Sequence, residues 1–181
     1  MFSIELPVKP LKVMALAIVS ALISPLIASA NPLEMMEGWV YTSFGFSENQ
    51  GLPEGVFQTI SSSSIDDNLT ITEHLYNDQV IVSFEELLME RQVTRDGVIV
   101  DEQFWEILDT AGPFSTGIQS VCQMNGQDDS GIFAIAKPPY IDVKWITDFQ
   151  VVWRPNLVTK QLEQIPSDNI RCLNIHYGYD S

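Results

Sequence analysis

The chain has 181 residues, of which 45% are hydrophobic and 18% are charged, a composition typical of one globular domain and not of a disordered protein. Its 24 acidic residues against 9 basic residues give a formal net charge of -15, and no basic stripe is present to meet phosphates. This excess of acids disfavours binding to nucleic acid or to an anionic membrane.

The first 30 residues have the order typical of an export signal. Lys9 and Lys12 form a short basic region, residues 13–27 are largely apolar, and an Ala-Ser-Ala run at 28–30 supplies the small residues that a signal peptidase reads. The apolar run is short for a membrane-spanning helix, which needs about 20 residues. We therefore expect residues 1–30 to be a cleaved signal peptide, with an uncleaved anchor as the alternative. Residues 31–181 are then expected to form a single globular domain that is secreted or periplasmic.

The region that follows is predicted to contain four strands joined by turns. The turns are indicated by Pro53 with Gly55 and by Asn77 with Asp78, and the serine run at 61–64 is interpreted as a flexible surface turn. Asn68 begins an N-glycosylation sequon, which is a weak match. The predicted strands cover residues 38–46, 56–60, 68–75 and 79–84.

A first short helix is predicted to begin at Ser83. Glu85 and Glu86 would lie in its first turn, where they suit the positive end of the helix dipole, and Arg91 would lie near its end. A tight turn is predicted at residues 95–97, where Asp96 precedes Gly97.

A second short helix is predicted to follow that turn. Asp101 is a suitable N-cap for it, and Gly112 followed by Pro113 is expected to end it. Its buried side is predicted to consist of Phe104, Trp105 and Leu108.

Strands are predicted for the rest of the chain, and residues 141–153 carry the clearest pattern. Their odd positions are almost all apolar, aromatic or β-branched, and their even positions carry the charges. This alternation predicts a strand with its odd face in the core, with Phe149 buried, Gln150 exposed and a break near Thr147 and Asp148. A helix is the alternative, because aromatic and aliphatic residues also recur at every fourth position. The other predicted strands cover residues 117–123, 132–136, 160–165 and 170–177.

These elements together predict an α+β fold. Its main part is an antiparallel sheet with one or two short helices on one face. An all-β sandwich or barrel is the alternative fold class.

The two cysteines, Cys122 and Cys172, are predicted to form a structural disulfide. An even cysteine count in an exported chain favours such a bond. It would join the strand at 117–123 to the last strand, with the 141–153 hairpin between them. A redox-active pair is disfavoured because the C-x-x-C spacing is absent.

Catalytic and metal sites find little support in the sequence. His74 and His176 are the only histidines, no G-x-S-x-G motif is present, and the acid pairs Glu85-Glu86, Asp101-Glu102 and Asp128-Asp129 are explained by a solvated surface. We therefore predict no catalytic, cofactor-binding or metal-binding residue.

One acidic loop, at residues 125–131, resembles a calcium-binding loop in composition. Its glycine stands at the seventh place instead of the sixth, and Ala136 occupies the twelfth place, where a glutamate is expected. A hairpin loop is the favoured interpretation, and a calcium-dependent module remains a lesser alternative.

The absence of catalytic motifs, together with the distribution of charge, gives the main functional hypothesis. Residues 34–109 contain sixteen acids, with Arg91 and Arg95 as the only bases. The simplest explanation of this excess is solubility, and an acidic face for a basic partner or for cations is the alternative. We predict an exported, acidic, non-enzymatic domain that binds a protein or a cell-envelope component, with a basic partner as one candidate and no cofactor. The alternative is a secreted hydrolase in which acids, His74 and His176 converge only in the fold.

Overall fold

In a computed structural model, the described part of the chain forms three antiparallel sheets. The structure describes residues 33, 36–44, 48–115, 117–140, 142–175 and 177–178, and the predicted signal peptide lies outside them. The six-stranded sheet contains β1 (Val40–Phe44), β2 (Glu48–Gln50), β3 (Val56–Ser64), β4 (Leu69–Tyr76), β5 (Gln79–Arg95) and β6 (Val98–Phe114), in the order β2-β1-β6-β5-β4-β3.

Two four-stranded sheets follow in the C-terminal half. One contains β7 (Ile118–Gln119), β10 (Phe133–Ala136), β12 (Phe149–Asn156) and β13 (Gln161–Gln164), in the order β13-β12-β10-β7. The other contains β8 (Cys122–Met124), β9 (Gln127–Asp128), β11 (Trp145–Ile146) and β14 (Ile170–Leu173), in the order β11-β14-β8-β9.

Tight turns explain why β4, β5 and β6 lie side by side. Asn77 and Asp78 have φ angles of 46° and 62°, and Asp96 and Gly97 have φ angles of 51° and 81°. Positive φ at both central residues is the requirement of the two-residue hairpin turn that matches the twist of paired strands. Both predicted turns are therefore confirmed.

The six-stranded sheet curls strongly, so that the strands at its two ends approach each other. The side-chain amide of Asn49 on β2 donates a hydrogen bond to Thr59 on β3, although these are the outermost strands. The ring of Tyr41 on β1 lies 5.9 Å from the ring of His74 on β4, across the concave face. The buried side chain of Met36 packs into the same space.

Three hydrophobic clusters hold the sheets together. The first fills the concave face of the six-stranded sheet and includes Met36, Tyr41, Val56, Ile81 and Ile107. The second joins the opposite face to the β13-β12-β10-β7 sheet and includes Ile71, Val82, Ala111, Phe133 and Trp153. The third lies between the two four-stranded sheets and includes Ala134, Phe149, Val152, Ile170 and the bonded Cys122 and Cys172.

The α+β prediction is wrong, because both segments predicted as helices lie in the long hairpin of β5 and β6. Ser83 and Arg91 belong to β5, Asp101 and Gly112 belong to β6, and every element formed by the described residues is a strand. The strong helix formers of these segments are overridden by pairing with a distant strand. Bulges at Leu108 on β6 and at Leu88 on β5 shift the side-chain alternation and disguise the strand pattern. The all-β class, our alternative, describes the fold.

Two predicted breaks are also wrong. The serine run at 61–64 is not a turn, because it pairs with residues 70–73 of β4. Gly112 and Pro113 do not end an element: Ala111 pairs with Val82 and Phe114 pairs with Val80, so the strand continues across a bulge. Gly112 has a φ of 125°, and a Cβ there would lie 2.9 Å from the Val80 carbonyl oxygen, so this bulge requires glycine.

The 141–153 stretch is a strand region broken where predicted, but its face assignment is only partly right. β11 ends at Ile146 and β12 begins at Phe149, which is buried, while Gln150 is exposed. Val152, on the predicted wet face, is only 1% exposed. A bulge at Gln150 brings Phe149 and Val152 to one face, and β12 lies in the middle layer, so both of its faces are covered.

Candidate functional site

A cluster of polar side chains lies on the concave face of the six-stranded sheet. Thr72 and His74 are two residues apart on β4, and Ser83 and Glu85 are two residues apart on β5. Each pair therefore points to one face of its strand. The antiparallel register sets Thr72 opposite Ser83, and Tyr41 reaches the group from β1. We call Tyr41, Thr72, His74, Ser83 and Glu85 the polar cluster.

The carboxylate of Glu85 is the centre of the polar cluster. Its Oε1 lies 2.8 Å from His74 Nε2 and accepts a hydrogen bond from the Ser83 hydroxyl. Its Oε2 accepts hydrogen bonds from the hydroxyls of Tyr41 at 2.8 Å and Thr72 at 2.9 Å. Both carboxylate oxygens are therefore doubly satisfied, as a buried charge requires.

All members of the polar cluster are cut off from solvent. His74, Ser83 and Glu85 are 0% exposed, Thr72 is 2% exposed and Tyr41 is 4% exposed. Across the described residues, every buried side-chain nitrogen and oxygen has a hydrogen-bond partner. Such a fully satisfied network fixes one arrangement of the strands that carry it.

Glu85 is held in its ionised form. Burial alone raises the pKa of its carboxyl, but the hydrogen bond and electrostatic attraction of His74, with hydrogen bonds from Ser83 and Tyr41, outweigh burial. The pKa of Glu85 therefore lies below its ordinary value of 4.5.

Tyr41 is held in its neutral form by the same arrangement. Burial, followed by the charge of Glu85 and the hydrogen bond to it, raises the pKa of the Tyr41 phenol far above its ordinary value of 10.0. The Tyr41 hydroxyl therefore stays protonated and serves as a hydrogen-bond donor to the carboxylate.

The polar cluster has the residue types of a hydrolytic triad but not its geometry. In a triad, one imidazole nitrogen faces the nucleophile and the other faces the acid. Here a single nitrogen, His74 Nε2, contacts both Ser83 Oγ, at 2.9 Å, and Glu85. The other nitrogen, Nδ1, lies 3.3 Å from the hydroxyl oxygen of Thr59. Ser83 is 0% exposed within the described part of the chain, so the arrangement is suited to structural support.

The structure separates the other sequence-predicted site residues. His176 lies outside the described residues. Glu86 points away from Glu85 and forms an ion pair with Lys160 at 3.1 Å. Glu102 pairs with Arg91, and Asp129 lies 3.1 Å from a guanidinium nitrogen of Arg154.

The acidic loop at 125–131 forms a hairpin. Asn125 and Gly126, with positive φ angles, join β8 to β9. Asp128 accepts a hydrogen bond from Gln123, and Asp129 accepts one from the backbone of Gly131. In the described ranges, no three His, Cys, Asp or Glu side chains are grouped to hold a metal ion.

The predicted disulfide between Cys122 and Cys172 is present. These cysteines stand directly opposite each other on the neighbouring strands β8 and β14, with their Cα atoms 4.0 Å apart. The predicted arrangement around the bond is wrong in two respects. The strand at 117–123 is split between two sheets, as β7 and β8, and the 141–153 stretch does not lie between the cysteines. A disulfide is compatible with an oxidising compartment.

A second candidate site is the far end of the long hairpin. We call residues 88–104 the ribbon, because β4 pairs with β5 only as far as Glu86 and the hairpin continues beyond it. Val98 and Ile99 at its tip are 61% and 67% exposed, and Leu88 and Met89 at its base are 50% and 47% exposed. Exposed apolar side chains grouped on one projecting element are typical of a binding surface.

A third location is a cleft of about 330 Å³ at the junction of the sheets. Its polar side chains are already engaged with one another, because Arg154 contacts Asp129 and Asn156 donates to Glu163 at 2.7 Å. No unsatisfied group is aimed into the cleft that would indicate a ligand.

No protein-family model, curated protein sequence or solved structure matches this chain. No described helix is long and apolar enough to cross a membrane. The function must therefore be argued from the polar cluster, the ribbon and the charge.

Sequence reasoning missed the roles of Ser83 and Glu85, because both were assigned to a helix. A signal was nevertheless present. T-x-H at 72–74 and S-x-E at 83–85 lie on the two sides of the Asn77-Asp78 turn, at positions that antiparallel pairing brings together. Polar residues in matching alternation on two hairpin strands indicate a shared face.

Proposed function

We propose that this is an exported, non-enzymatic protein that binds a positively charged protein or cell-envelope component through the ribbon. The main support for this proposal is the exposure of the apolar tip of the ribbon. There Val98 and Ile99 are 61% and 67% exposed, beside the exposed acids Asp96 and Asp101. Exposed apolar side chains supply contact area, and the neighbouring acids supply electrostatic attraction for a basic partner.

The charge of the ribbon's surroundings supports a basic partner. Residues 34–109 contain sixteen acids, and the fifteen that lie within the described residues fall on or beside the six-stranded sheet. The two arginines of this region are engaged within the protein: Arg91 pairs with Glu102, and Arg95 lies over the ring of Phe44 at 4.1 Å. The ribbon carries four acids against these two arginines, so its net charge is negative and attracts cations from a distance.

Two features support an exported location. The first 30 residues have the basic, apolar and small-residue order of a signal peptide. The Cys122–Cys172 bond lies in the third hydrophobic cluster, and disulfides persist in oxidising compartments.

The buried polar cluster supports a non-enzymatic role. A secreted hydrolase would need an accessible nucleophile held against one imidazole nitrogen, with an acid at the other. His74 offers one nitrogen to both Ser83 and Glu85, inside a closed sheet face. The hydrolase hypothesis therefore has less support than the binding hypothesis.

Site-specific photo-cross-linking in the source cells tests the binding hypothesis. A photo-reactive residue is placed at Ile99 in the full chain and, in a matched control, at Val158, which is 91% exposed on the turn between β12 and β13. We expect irradiation to give a discrete adduct with another protein or envelope component at Ile99 and none at Val158.

Charge reversal then tests the nature of the partner. Glu90→Lys with Asp101→Lys, both at exposed positions of the ribbon, should lower the yield of the Ile99 adduct. Equal adducts at Ile99 and Val158 would show that the ribbon is not a specific surface. An adduct whose yield is unchanged by the charge reversal would contradict a basic partner.

A further inference from the structure

The outer edge of β5 within the ribbon has no neighbouring strand in the described part of the chain. β4 pairs with β5 from Gln79 to Glu86, and the backbone of Leu87 donates to the Asn68 carbonyl at 2.8 Å. Beyond Leu87, the strand pairs on one side only, with β6. An exposed strand edge of this length is a template for pairing with another chain.

The register within the hairpin determines which backbone groups face outward. The two-residue turn at 96–97 makes Arg95 and Val98 a hydrogen-bonded pair. Because such pairs alternate along an antiparallel ladder, Val93 and Arg91 also bond to β6. The N–H and C=O groups of the residues between them point to the open edge, and these residues are Glu90, Gln92 and Thr94.

The start of β4 limits how another strand can lie along this edge. A strand added antiparallel to β5 must stop before Asn68, which already occupies the position beside Leu87. For a second copy of β5 this excludes two-fold registers centred on Glu90 or Arg91, since they would drive the partner strand into β4.

Side-chain charge gives an independent restriction. A two-fold register centred on Glu90 or Arg91 opposes like charges at the axis, and one centred on Val93 sets Arg91 opposite Arg95. Like charges directly opposite each other destabilise a strand pair. A register centred on Gln92 places the neutral Gln92 side chains of the two copies opposite each other at the axis. The charged residues of one copy then face uncharged residues of the other: Glu90 faces Thr94, Arg91 faces Val93 and Arg95 faces Met89.

We propose that two copies of this chain associate through their β5 edges, antiparallel, with the two-fold axis at Gln92. The start of β4 and the charge pattern both exclude the registers centred on Glu90 and Arg91, and the charge pattern also excludes the one centred on Val93. The exposed Met89, 47% accessible, would be covered by the aliphatic part of Arg95 from the other copy. The interface is isologous and closes at two copies, and it leaves Val98 and Ile99 on β6 outside the pairing.

Cysteine cross-linking reads out the register. Residues facing each other as a hydrogen-bonded pair have Cα atoms about 5.5 Å apart, within the range that a disulfide spans. Gln92→Cys should therefore form a covalent dimer under mild oxidation. Glu90→Cys alone and Thr94→Cys alone should not, but a mixture of the two should. Gln150→Cys, at an exposed position on β12, is the matched control.

Sedimentation of the purified protein tests association without any cross-link. At protein concentrations on the order of 100 μM, chosen because interfaces of this small size are weak, the wild type should sediment with a mass approaching twice that of one chain. Gln92→Arg, which places two charges at the axis, should return it to one chain mass, while Gln150→Arg should not.

The proposal is overturned if the wild type stays at one chain mass, or if Gln92→Cys cross-links no faster than Gln150→Cys. Capture of a different protein by Gln92→Cys, with a monomeric wild type, would assign the edge to that protein and also overturn it. None of these outcomes depends on the partner proposed for the ribbon tip.

Discussion

Glu85 is a charged side chain in the interior of a small protein, and its surroundings explain how it is tolerated. Moving a carboxylate out of water costs several kcal/mol, which is offset only where donors surround it. His74, Ser83, Tyr41 and Thr72 supply those donors from strands β4, β5 and β1. We infer that the hydrogen bonds of Glu85 stabilise the curled sheet by linking β4 and β5 to β1 across its concave face.

Replacing the charge should therefore destabilise the fold. Glu85→Gln leaves His74 beside a neutral amide in a buried site, and we expect a loss of about 3 kcal/mol in the free energy of unfolding at neutral pH. Denaturant melts measure it, with the exposed Glu54→Gln as control. A loss no larger than that of Glu54→Gln would show that the polar cluster does not support the sheet.

The same residue should make stability depend on pH. The folded-state pKa of Glu85 lies below the ordinary 4.5, so its ionisation stabilises the fold fully above about pH 4.5, and this stabilisation is lost as pH falls through the lower folded-state pKa. We expect the unfolding free energy of the wild type to fall more steeply with acid than that of Glu85→Gln. Equal slopes for the two proteins in melts at pH values between about 5 and 2 would contradict this.

The long hairpin shows most clearly what the sequence could and could not reveal about the strands. The turn at 96–97 and the short strands 68–75 and 132–136 were predictable, since turn residues and alternation are local signals. The segments 83–91 and 101–112 were not, because bulges interrupt the alternation and because Glu, Leu and Met favour helices locally. Only the long-range pairing of β5 with β6 decides between the two structures.

β12 gives a test of the face assignment. Val152 is 1% exposed and packs in the third cluster, whereas Val151 is only partly buried. We expect Val152→Asn to cost roughly 2–4 kcal/mol in unfolding free energy, because it places an amide without a partner in an apolar core. Val151→Asn should cost less. A larger loss for Val151→Asn in denaturant melts would restore the odd-face assignment.

At the level of the complete chain, the charge asymmetry of the sequence coincides with the architecture. The acidic half builds the six-stranded sheet, and the half with balanced charge builds the two smaller sheets around the disulfide. The disulfide was predictable because two cysteines in an exported chain have one pairing. The place of Tyr41 in the polar cluster was not, because only the curl of the sheet brings β1 to the face of β4 and β5 that carries the other four members.

Loss of the disulfide should weaken the C-terminal half. The bond closes a separation of 50 residues, for which the chain-entropy model gives about 4 kcal/mol. We expect Cys122→Ala with Cys172→Ala to lower the unfolding free energy by an amount of this order. The control is the wild type measured with and without reductant. An unchanged free energy would show that the third hydrophobic cluster holds these sheets together without the bond.

The most direct test of the proposed function separates the binding surface from the scaffold that supports it. Val98→Ser with Ile99→Ser removes the apolar tip of the ribbon, at positions 61% and 67% exposed in the wild type. Quantitative capture of proteins and envelope components from the source by the immobilised variant is compared with capture by the wild type, alongside both unfolding midpoints. We expect the partner to be lost while the midpoint stays unchanged. Retention of the partner by a variant with an unchanged midpoint would contradict the binding role of the ribbon.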